Sequence, residues 1–385
     1  MAIKHYNLDT IDKLGATINL IFGERSNGKS YQVKHKRGII PFLESTTNYY
    51  DRYYNKGIIE SVIKDAGRRF MLVRRYREEI APALIEKYFD DVDVTKLTNG
   101  EADMIICYRG EIFLSVFDTK TNKAIKGRKI GYVVALSTEQ KYAGGSFLDV
   151  TDIIFEEVMS RSLYLAHEPA KLMNLYSTID RKRGIVRMWL VGNTISKICP
   201  YLTDWGILDI VRHMKQGEIR ELWLDTGDID DNGVKIEVKL AIEYCKPTGA
   251  SSFVIGEHKT MLNKGEWQSE RQPHLPKSIN EYNEIFRIMF FYKGFKFLAS
   301  YIQDKDTKYE CWYVTPYTKD IKDDIIVFSD IVKSSPYYQK DIYNPLINNP
   351  KLKQLLQTFK ESNIFYATDM CGTDFKQAID FEIRK

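Results

Sequence analysis

The sequence predicts an α/β protein in which a parallel sheet carries helices on both faces and is followed by a smaller α+β domain. Three observations carry that expectation. Short β-rich runs alternate with helical stretches from Thr17 to about Asn193. Most of those runs are continuously apolar, the pattern of strands buried on both faces. Past Lys246 the alternation gives way to a stretch broken by glycine and proline, after which a second group of strands begins.

In order along the chain, the strand candidates of the first part are Thr17–Phe22, Phe70–Tyr76, Tyr132–Ser137, Asp152–Glu157 and Ile185–Asn193. Ile105–Phe117 reads as a hairpin turning at Arg109-Gly110, inserted between core elements. Pro169–Arg181 reads as a helix. From Ile207 to Glu243 the pattern becomes one helical stretch and two alternating runs, Glu221–Asp225 and Val234–Tyr244, around a Gly227–Gly233 turn, and a lid or small subdomain is expected there. Lys246–Lys277, with its scattered Gly and Pro, is the expected linker. Beyond it Phe286–Tyr292 and Phe295–Gln303 flank a Lys293-Gly294 turn, Tyr309–Thr315 follows, and Lys351–Ser362 has helical spacing. The expected domains are therefore 1–206, 207–245, 246–277 and 278–385.

The 385 residues exceed what one compact domain usually holds, which agrees with that division. With 44% hydrophobic and 13% aromatic residues, a disordered chain is excluded. The most apolar stretch, Phe286–Tyr301, is interrupted by Arg287, Lys293 and Lys296, so no membrane-spanning helix is expected. Asp9, Asp12 and Lys13 stand where a signal peptide needs its apolar segment, and an intracellular protein is expected. Five scattered cysteines without a CxxC pair give neither a disulfide framework nor a cysteine zinc site. The six histidines lack metal-ligand spacing. The formal net charge of +4 neither requires nor excludes a nucleic-acid partner, since local patches matter more than the sum.

Gly23-Glu24-Arg25-Ser26-Asn27-Gly28-Lys29-Ser30 fits GxxxxGK[ST] and stands where that motif must stand, after an apolar strand and before a helical stretch. Gly23 and Gly28 let the backbone wrap a nucleotide's phosphates, Lys29 neutralises their charge, and Ser30 ligates Mg²⁺. Residues Gly23 to Tyr31 are thus the expected ATP-binding segment. A P-loop needs a second strand that ends in carboxylates, and Asp152–Glu157 is the best match. There Glu156 is the expected metal-side acid, with Ser30, and Glu157 the expected general base.

Asn193, ending the next strand, is a candidate sensor of the γ-phosphate, or a simple turn residue after Gly192. Arg181-Lys182-Arg183 offers a guanidinium to a neighbouring subunit's nucleotide, or merely complements a helix C-terminus. Arg74-Arg75-Tyr76-Arg77 suits phosphate or trans-nucleotide contact, or is a solvated charge cluster.

Several coincident blocks resemble one family, the DNA-encapsidation (genome-packaging) ATPases of small podovirus-type tailed bacteriophages. They are Ile21–Tyr31, Phe70–Tyr76, Val134–Ser137 with Gln140 and Lys141, Asp152–Glu157, Leu172–Arg183 and Val191–Leu202. Phe286–Phe297, Leu346–Phe359 and the closing helix are similar but less specific. The resemblance implies a P-loop NTPase domain of the ASCE type and a C-terminal domain resembling an RNase H-like vestigial nuclease. It implies a homomeric, pentameric ring at the portal vertex of a prohead in the host cytoplasm, not secreted and not membrane-bound. ATP with Mg²⁺ would drive double-stranded DNA into the shell, gripped mostly through its phosphates. The portal connector and the DNA are the implied partners, and in some relatives a structural RNA bridges motor and portal. In that family the position matching Arg181 is an arginine finger acting in trans. The position matching Arg77 is a second candidate, and Arg183 lies beside the first.

This chain departs from the family in having Glu156 where Asp is usual, and in extra length around Ile105–Lys129 and Thr203–Tyr244. Asp304, Asp306, Asp320, Asp323 and Asp324 are better explained by solvated turns than by a two-metal site, so an inactive nuclease-like domain is expected. Two rival readings remain in view. One is another ring translocase or terminase subunit that cuts DNA, and the other is a DNA or portal adaptor that binds nucleotide without turnover.

Overall fold

A computed structural model describes residues 6–35, 68–160, 164–229, 233–247, 267, 270–319, 325–331, 337–339, 350–361 and 363–383. Of these, residues up to Ile195 and those from His213 to 247 form one compact unit, and Ser196–Arg212 together with the described residues from Trp267 onward form a second.

The first unit is built on a nine-stranded sheet. Its strands are β1 (Ile18–Gly23), β2 (Arg69–Arg74), β3 (Met104–Tyr108), β4 (Glu111–Asp118), β5 (Lys123–Ala135), β6 (Val150–Glu156), β7 (Arg187–Asn193), β8 (Glu218–Ile229) and β9 (Lys235–Tyr244). Their spatial order is β3-β4-β5-β2-β6-β7-β1-β9-β8. The six central strands, β5 to β9 in that order, are mutually parallel. The outer pairings are antiparallel hairpins. One strand, β7, lies between β1 and β6, so the loop after β1 and the acids ending β6 open on the same end of the sheet with a gap between them.

Both faces of the central strands are covered. Ile21, Leu72, Ile154, Trp189 and Ala241 pack with Ile11, Ile85 and Phe89 in one core cluster. Residues of the opposite parity, including Met71, Ile153, Phe155, Met188 and Leu190, are equally buried. This is why the strands read as continuous apolar runs. The helix Glu168–Asp180 buries Leu172, Leu175 and Ile179.

Of residues 207–245, expected to form a lid or small subdomain, those from His213 onward belong to the first unit and those up to Arg212 to the second. β9 pairs in parallel with β1, from Ile18 opposite Leu240 to Phe22 opposite Tyr244, so the β8–β9 hairpin is the edge of the main sheet. Buried Leu240, Ala241 and Ile242 provide the driving area for that pairing. Within the expected linker, residues 248–266, 268 and 269 lie outside the described residues, whereas Gln272 and Pro273 are already bonded to Asp369 and Tyr366 of the second unit.

The second unit carries a six-stranded sheet of β10 (Tyr282–Tyr292), β11 (Phe295–Asp304), β12 (Glu310–Pro316), β13 (Val327–Ser329), β14 (Tyr338–Gln339) and β15 (Ile364–Tyr366). The order is β14-β13-β10-β11-β12-β15. β10 to β12 form an antiparallel meander, and β13, β14 and β15 pair in parallel with their neighbours. An aromatic layer joins sheet to helices: Phe375 stands edge-on to Phe290 at 5.1 Å and Phe297 at 5.3 Å, and Phe359 edge-on to Trp312 at 5.0 Å. Asp304 accepts from Lys277 and from the amides of Asp306 and Thr307, which hold its carboxyl well below the usual range. Its role is to cap the β11–β12 turn. Asp320, Asp323 and Asp324 lie outside the described residues.

Candidate nucleotide site

The loop after β1 turns on three left-handed residues, Gly23 (φ 154°), Ser26 (φ 63°) and Gly28 (φ 95°). At Gly23 a side chain is doubly excluded, because a Cβ would stand 3.0 Å from Cys245 Cβ where β9 leaves the sheet. Gly23→Ala is expected to lower the unfolding free energy by about 1–3 kcal/mol, read from the urea midpoint at unchanged slope. An unshifted midpoint would refute the close approach.

Lys29 is buried at the first position of the helix that follows. Its ammonium donates to the Glu24 carbonyl, to Asn27 Oδ1 at 3.2 Å and to Asn193 Oδ1 at 3.4 Å. Burial lowers its pKa to about 8, against the pull of nearby acidic groups. Ser30 Oγ donates to Glu156 Oε2 at 2.8 Å. The other oxygen of Glu156 accepts from the Tyr88 hydroxyl at 2.8 Å. Burial pushes the Glu156 carboxyl up, and these two hydrogen bonds oppose the shift.

These groups share a cavity of about 430 Å³ lined by Arg25 to Tyr31 and by Lys34, Arg74, Tyr88, Asp91, Glu156, Glu157 and Val191–Asn193. Gly23 and Glu24, which open the loop, are buried and do not line it. Tyr31 stands exposed on the rim, its ring stacked on His35 at 3.8 Å. Glu157 is exposed, in left-handed backbone conformation (φ 61°), just past the end of β6. The cavity therefore joins Lys29, Ser30, Glu156, Glu157 and Asn193, as the sequence reading expects.

It also contains three groups that reading missed. Tyr88 comes from the short helix Pro82–Tyr88, which carries no motif. Lys34 bonds the Tyr88 carbonyl at 2.7 Å and pairs with Asp91. A signal for Lys34 did exist, since it lies four residues beyond Ser30 and hence on the same helix face.

The remaining arginines are dispersed. Arg75, expected within a phosphate-contacting cluster, is instead buried and paired with Glu168, while Arg74 lines the cavity 5.7 Å from the Tyr88 ring centre. Arg183 donates to the carbonyls of Ile179, Asp180, Leu148 and Val150. Its guanidinium is held by these carbonyls of its own chain. Arg181 is exposed, left-handed at the end of its helix, and donates to the Gly145 carbonyl at 2.6 Å. It precedes β7, whereas Asn193 ends β7 at the cavity, so roughly a strand length of about 23 Å separates it from its own chain's site. Arg77 is also exposed but follows β2 at the cavity end of the sheet.

The proton on Lys29 gives this site a pH signature. The free protein loses that proton as pH rises through about 8, and only the ammonium attracts phosphate. Affinity for ATP is thus expected to fall by up to about tenfold between pH 8 and pH 9, with proton uptake on binding. Titration calorimetry in buffers of different ionisation enthalpy would measure it, and a Lys29→Met variant should bind weakly without that dependence.

Several known proteins are similar to this chain. A family model for the podovirus DNA encapsidation protein (Gp16) matches residues 52–216. That match begins after the Gly23–Ser30 loop, which stands on its own motif and geometry. The DNA packaging proteins of Bacillus phages PZA and phi29 are each 27% identical over 206 residues, 53% of this chain and 50% of theirs. That of Bacillus phage B103 is 28% identical over 194 residues, 50% and 48% of the two chains. The chain thus matches about half the length of these curated relatives. A chain of the bacteriophage Phi-29 viral genome packaging motor assembly has the same fold, with a TM-score of 0.52 at 18% identity over 99% of both chains.

Proposed function

We propose that this chain, a relative of the podovirus DNA encapsidation proteins, is an ATP-hydrolysing motor that drives double-stranded DNA into a prohead. The observation that carries the reading is the Ser30–Glu156 hydrogen bond beside buried Lys29, which joins a phosphate-binding loop to an acidic strand end in one cavity.

The donor set fits Mg²⁺. A hydroxyl and a carboxylate, both hard oxygens already within 2.8 Å of each other, suit a cation that takes one or two protein ligands and completes its shell with phosphate and water. Glu156 in place of Asp still reaches Ser30, so the added methylene does not separate the pair. When bound, the cation would neutralise charge on the phosphate oxygens. Lys29 would exchange its carbonyl and amide partners for phosphate oxygens, and Tyr88 holds Glu156 in orientation. Glu157, exposed to the cavity, would take the proton of the attacking water. Asn193, within reach of Lys29, would register the γ-phosphate.

The assembly is proposed to be a homomeric ring, pentameric as in the family it resembles, seated on the portal in the host cytoplasm, with or without a bridging RNA. In such a ring an arginine enters the neighbour's site. Arg181 is the candidate by resemblance, and Arg77, on the cavity end of the sheet, is the one the topology favours. The C-terminal unit is proposed to be a vestigial RNase H-like domain. Its antiparallel meander with parallel strands added beyond the first supports that reading, and Asp304 accepts from the amides of the β11–β12 turn.

Steady-state ATP hydrolysis measured against protein concentration, with and without double-stranded DNA, tests the proposal. Specific activity is expected to rise with both, and Arg181→Ala or Arg77→Ala is expected to lose activity yet rescue Glu157→Gln in mixed assemblies. Activity independent of concentration, DNA and both arginines would replace the motor by a monomeric ATPase. Absence of hydrolysis even in single turnover would leave a nucleotide-binding adaptor.

A further inference from the structure

At one edge of the main sheet a two-stranded ribbon runs on beyond its neighbour. β3 pairs with β4 only as far as Met104 opposite Ser115, after which β4 and β5 continue together through Val116 opposite Ile125, Phe117 opposite Ala124 and Asp118 opposite Lys123. At about 3.4 Å per residue these pairs reach roughly 10 Å past β3, and the turn at residues 119–122 extends them further. β5 begins in the ribbon and runs parallel to β1 by way of β2, β6 and β7. The ribbon therefore leaves the end of the sheet opposite the nucleotide cavity.

This edge holds the chain's excess of positive charge. Residues 104–132 carry Arg109, Lys120, Lys123, Lys126, Arg128 and Lys129 against Glu111 and Asp118, six cations to two acids, a net +4 equal to that of the whole chain. The remainder is balanced, so the field that attracts an anion originates here. Lys129 is paired with Glu111. Lys120, Lys123 and Lys126 are exposed and pair with no acid among the described residues. Asp118 is engaged by the turn, accepting from the Lys120 amide at 2.9 Å and the Thr121 hydroxyl at 2.6 Å, which fixes the backbone that presents Lys120. The Lys126 ammonium stands 3.2 Å from the centre of the Tyr108 ring, and the Arg109 guanidinium 5.2 Å from the same ring. An aromatic face positions a cation without neutralising it.

The cations occupy both faces of the ribbon. Opposed residues share a face and successive residues alternate, so Lys123 lies on one face with Val116 and Ile125, Lys126 lies on the other with Phe117, and Lys120 stands at the tip. Val116, Phe117 and Ile125 are all exposed.

We infer that the β4–β5 ribbon enters a groove of duplex DNA and holds it through its phosphates. The major groove admits a two-stranded β-ribbon and is about 8.5 Å deep, close to the ribbon's reach. Phosphates flank that groove on both sides, so a ribbon charged on both faces meets anions on each. A flat acidic protein surface would satisfy one face and leave the cations of the other unpaired. The apolar side chains meet sugars and the groove floor, and because the charged contacts are to phosphate, the grip is indifferent to sequence. The inference rests on the DNA-motor reading above and names the surface by which such a motor holds its DNA.

The test is fluorescence anisotropy of a short labelled duplex of mixed sequence, titrated with the full chain at several salt concentrations. Lys120→Gln with Lys123→Gln is expected to weaken binding roughly tenfold or more and to reduce the slope of log affinity against log salt by about 2, since each lost phosphate contact removes about one released counterion. Lys126→Gln, on the other face, should reduce that slope by about 1. Lys120→Arg with Lys123→Arg should keep wild-type affinity. Binding of a fluorescent ATP analogue should be the same in every variant, because the ribbon and the cavity lie at opposite ends of the sheet. Undiminished duplex binding by the glutamine variants, or a loss confined to one face, would overturn groove entry. So would a single strand bound as tightly as the duplex through the same lysines. Wild type that hydrolyses ATP but binds no duplex would end the DNA-motor reading together with this one. Wild type that binds duplex independently of Lys120, Lys123 and Lys126 would end only the ribbon's part, and lysine-dependent binding by a chain without hydrolysis would end only the ATPase.

Discussion

Glu157→Gln is expected to lower ATP hydrolysis by roughly 10²–10⁴-fold while ATP affinity changes little, because the side chain is proposed to act on water rather than to hold nucleotide. Several features place that expectation on Glu157 rather than Glu156. Glu156 is buried and both its oxygens are occupied, by Ser30 and Tyr88. Glu157 is exposed, lines the same cavity, and is held in left-handed conformation, the kind of strained backbone that persists where surrounding contacts impose it. Steady-state rates with a fluorescent-nucleotide titration on the same preparations would decide. If Glu157→Gln retained more than about a tenth of the wild-type rate, the base would have to be sought elsewhere, whereas a matching loss of affinity would move Glu157 to a binding role.

A contact on the Glu157 carbonyl supplies the second large effect. Arg75 Nε and its Nη2 donate to Glu168 at 2.8 and 3.0 Å, and the same Nη2 reaches the carbonyls of Glu157 at 3.2 Å and Val158 at 3.1 Å. Both partners of the ion pair are almost wholly buried, at 3% and 0% exposure. Glu168→Gln leaves a buried guanidinium without its counter-charge and is expected to destabilise the protein by about 3–5 kcal/mol in urea unfolding. Replacing both by apolar residues, Arg75→Met with Glu168→Leu, should recover much of that stability. It should not recover hydrolysis, since the clamp on the Glu157 carbonyl would be gone. A loss below about 1 kcal/mol for Glu168→Gln, or full hydrolysis in the double variant, would show that this pair neither holds the fold nor positions the acid.

Much of the site was legible because its chemistry is local in sequence. Gly23 to Ser30 is one contiguous loop whose spacing is dictated by how a backbone wraps phosphate, and Asp152–Glu157 is a single strand running out of apolar residues into acids. The strands themselves were legible for a related reason. Burial on both faces removes polar alternation, so Ile18–Phe22 and Ile153–Phe155 announce their depth by composition. The Arg109-Gly110 and Lys293-Gly294 turns were found because left-handed backbone selects few residues, and both arginine and lysine there take φ values near 50° beside a glycine.

What the chain decides only on folding is which distant segments meet. Nothing local marks Tyr88 as the partner of Glu156, 68 residues away, or Glu168 as the partner of Arg75, 93 residues away. Nor does an alternating run at 234–244 say that it will lie beside β1, more than 200 residues earlier, rather than form a lid. Arg74, Arg75, Arg77, Arg181 and Arg183 look alike as charges in sequence. Their fates, lining a cavity, locking a loop, standing exposed or capping a helix, depend on the desolvation each meets and the oxygens within its reach. Those quantities are set by strand order and packing, whereas motif spacing and apolar runs are set by the chain's own covalent periodicity.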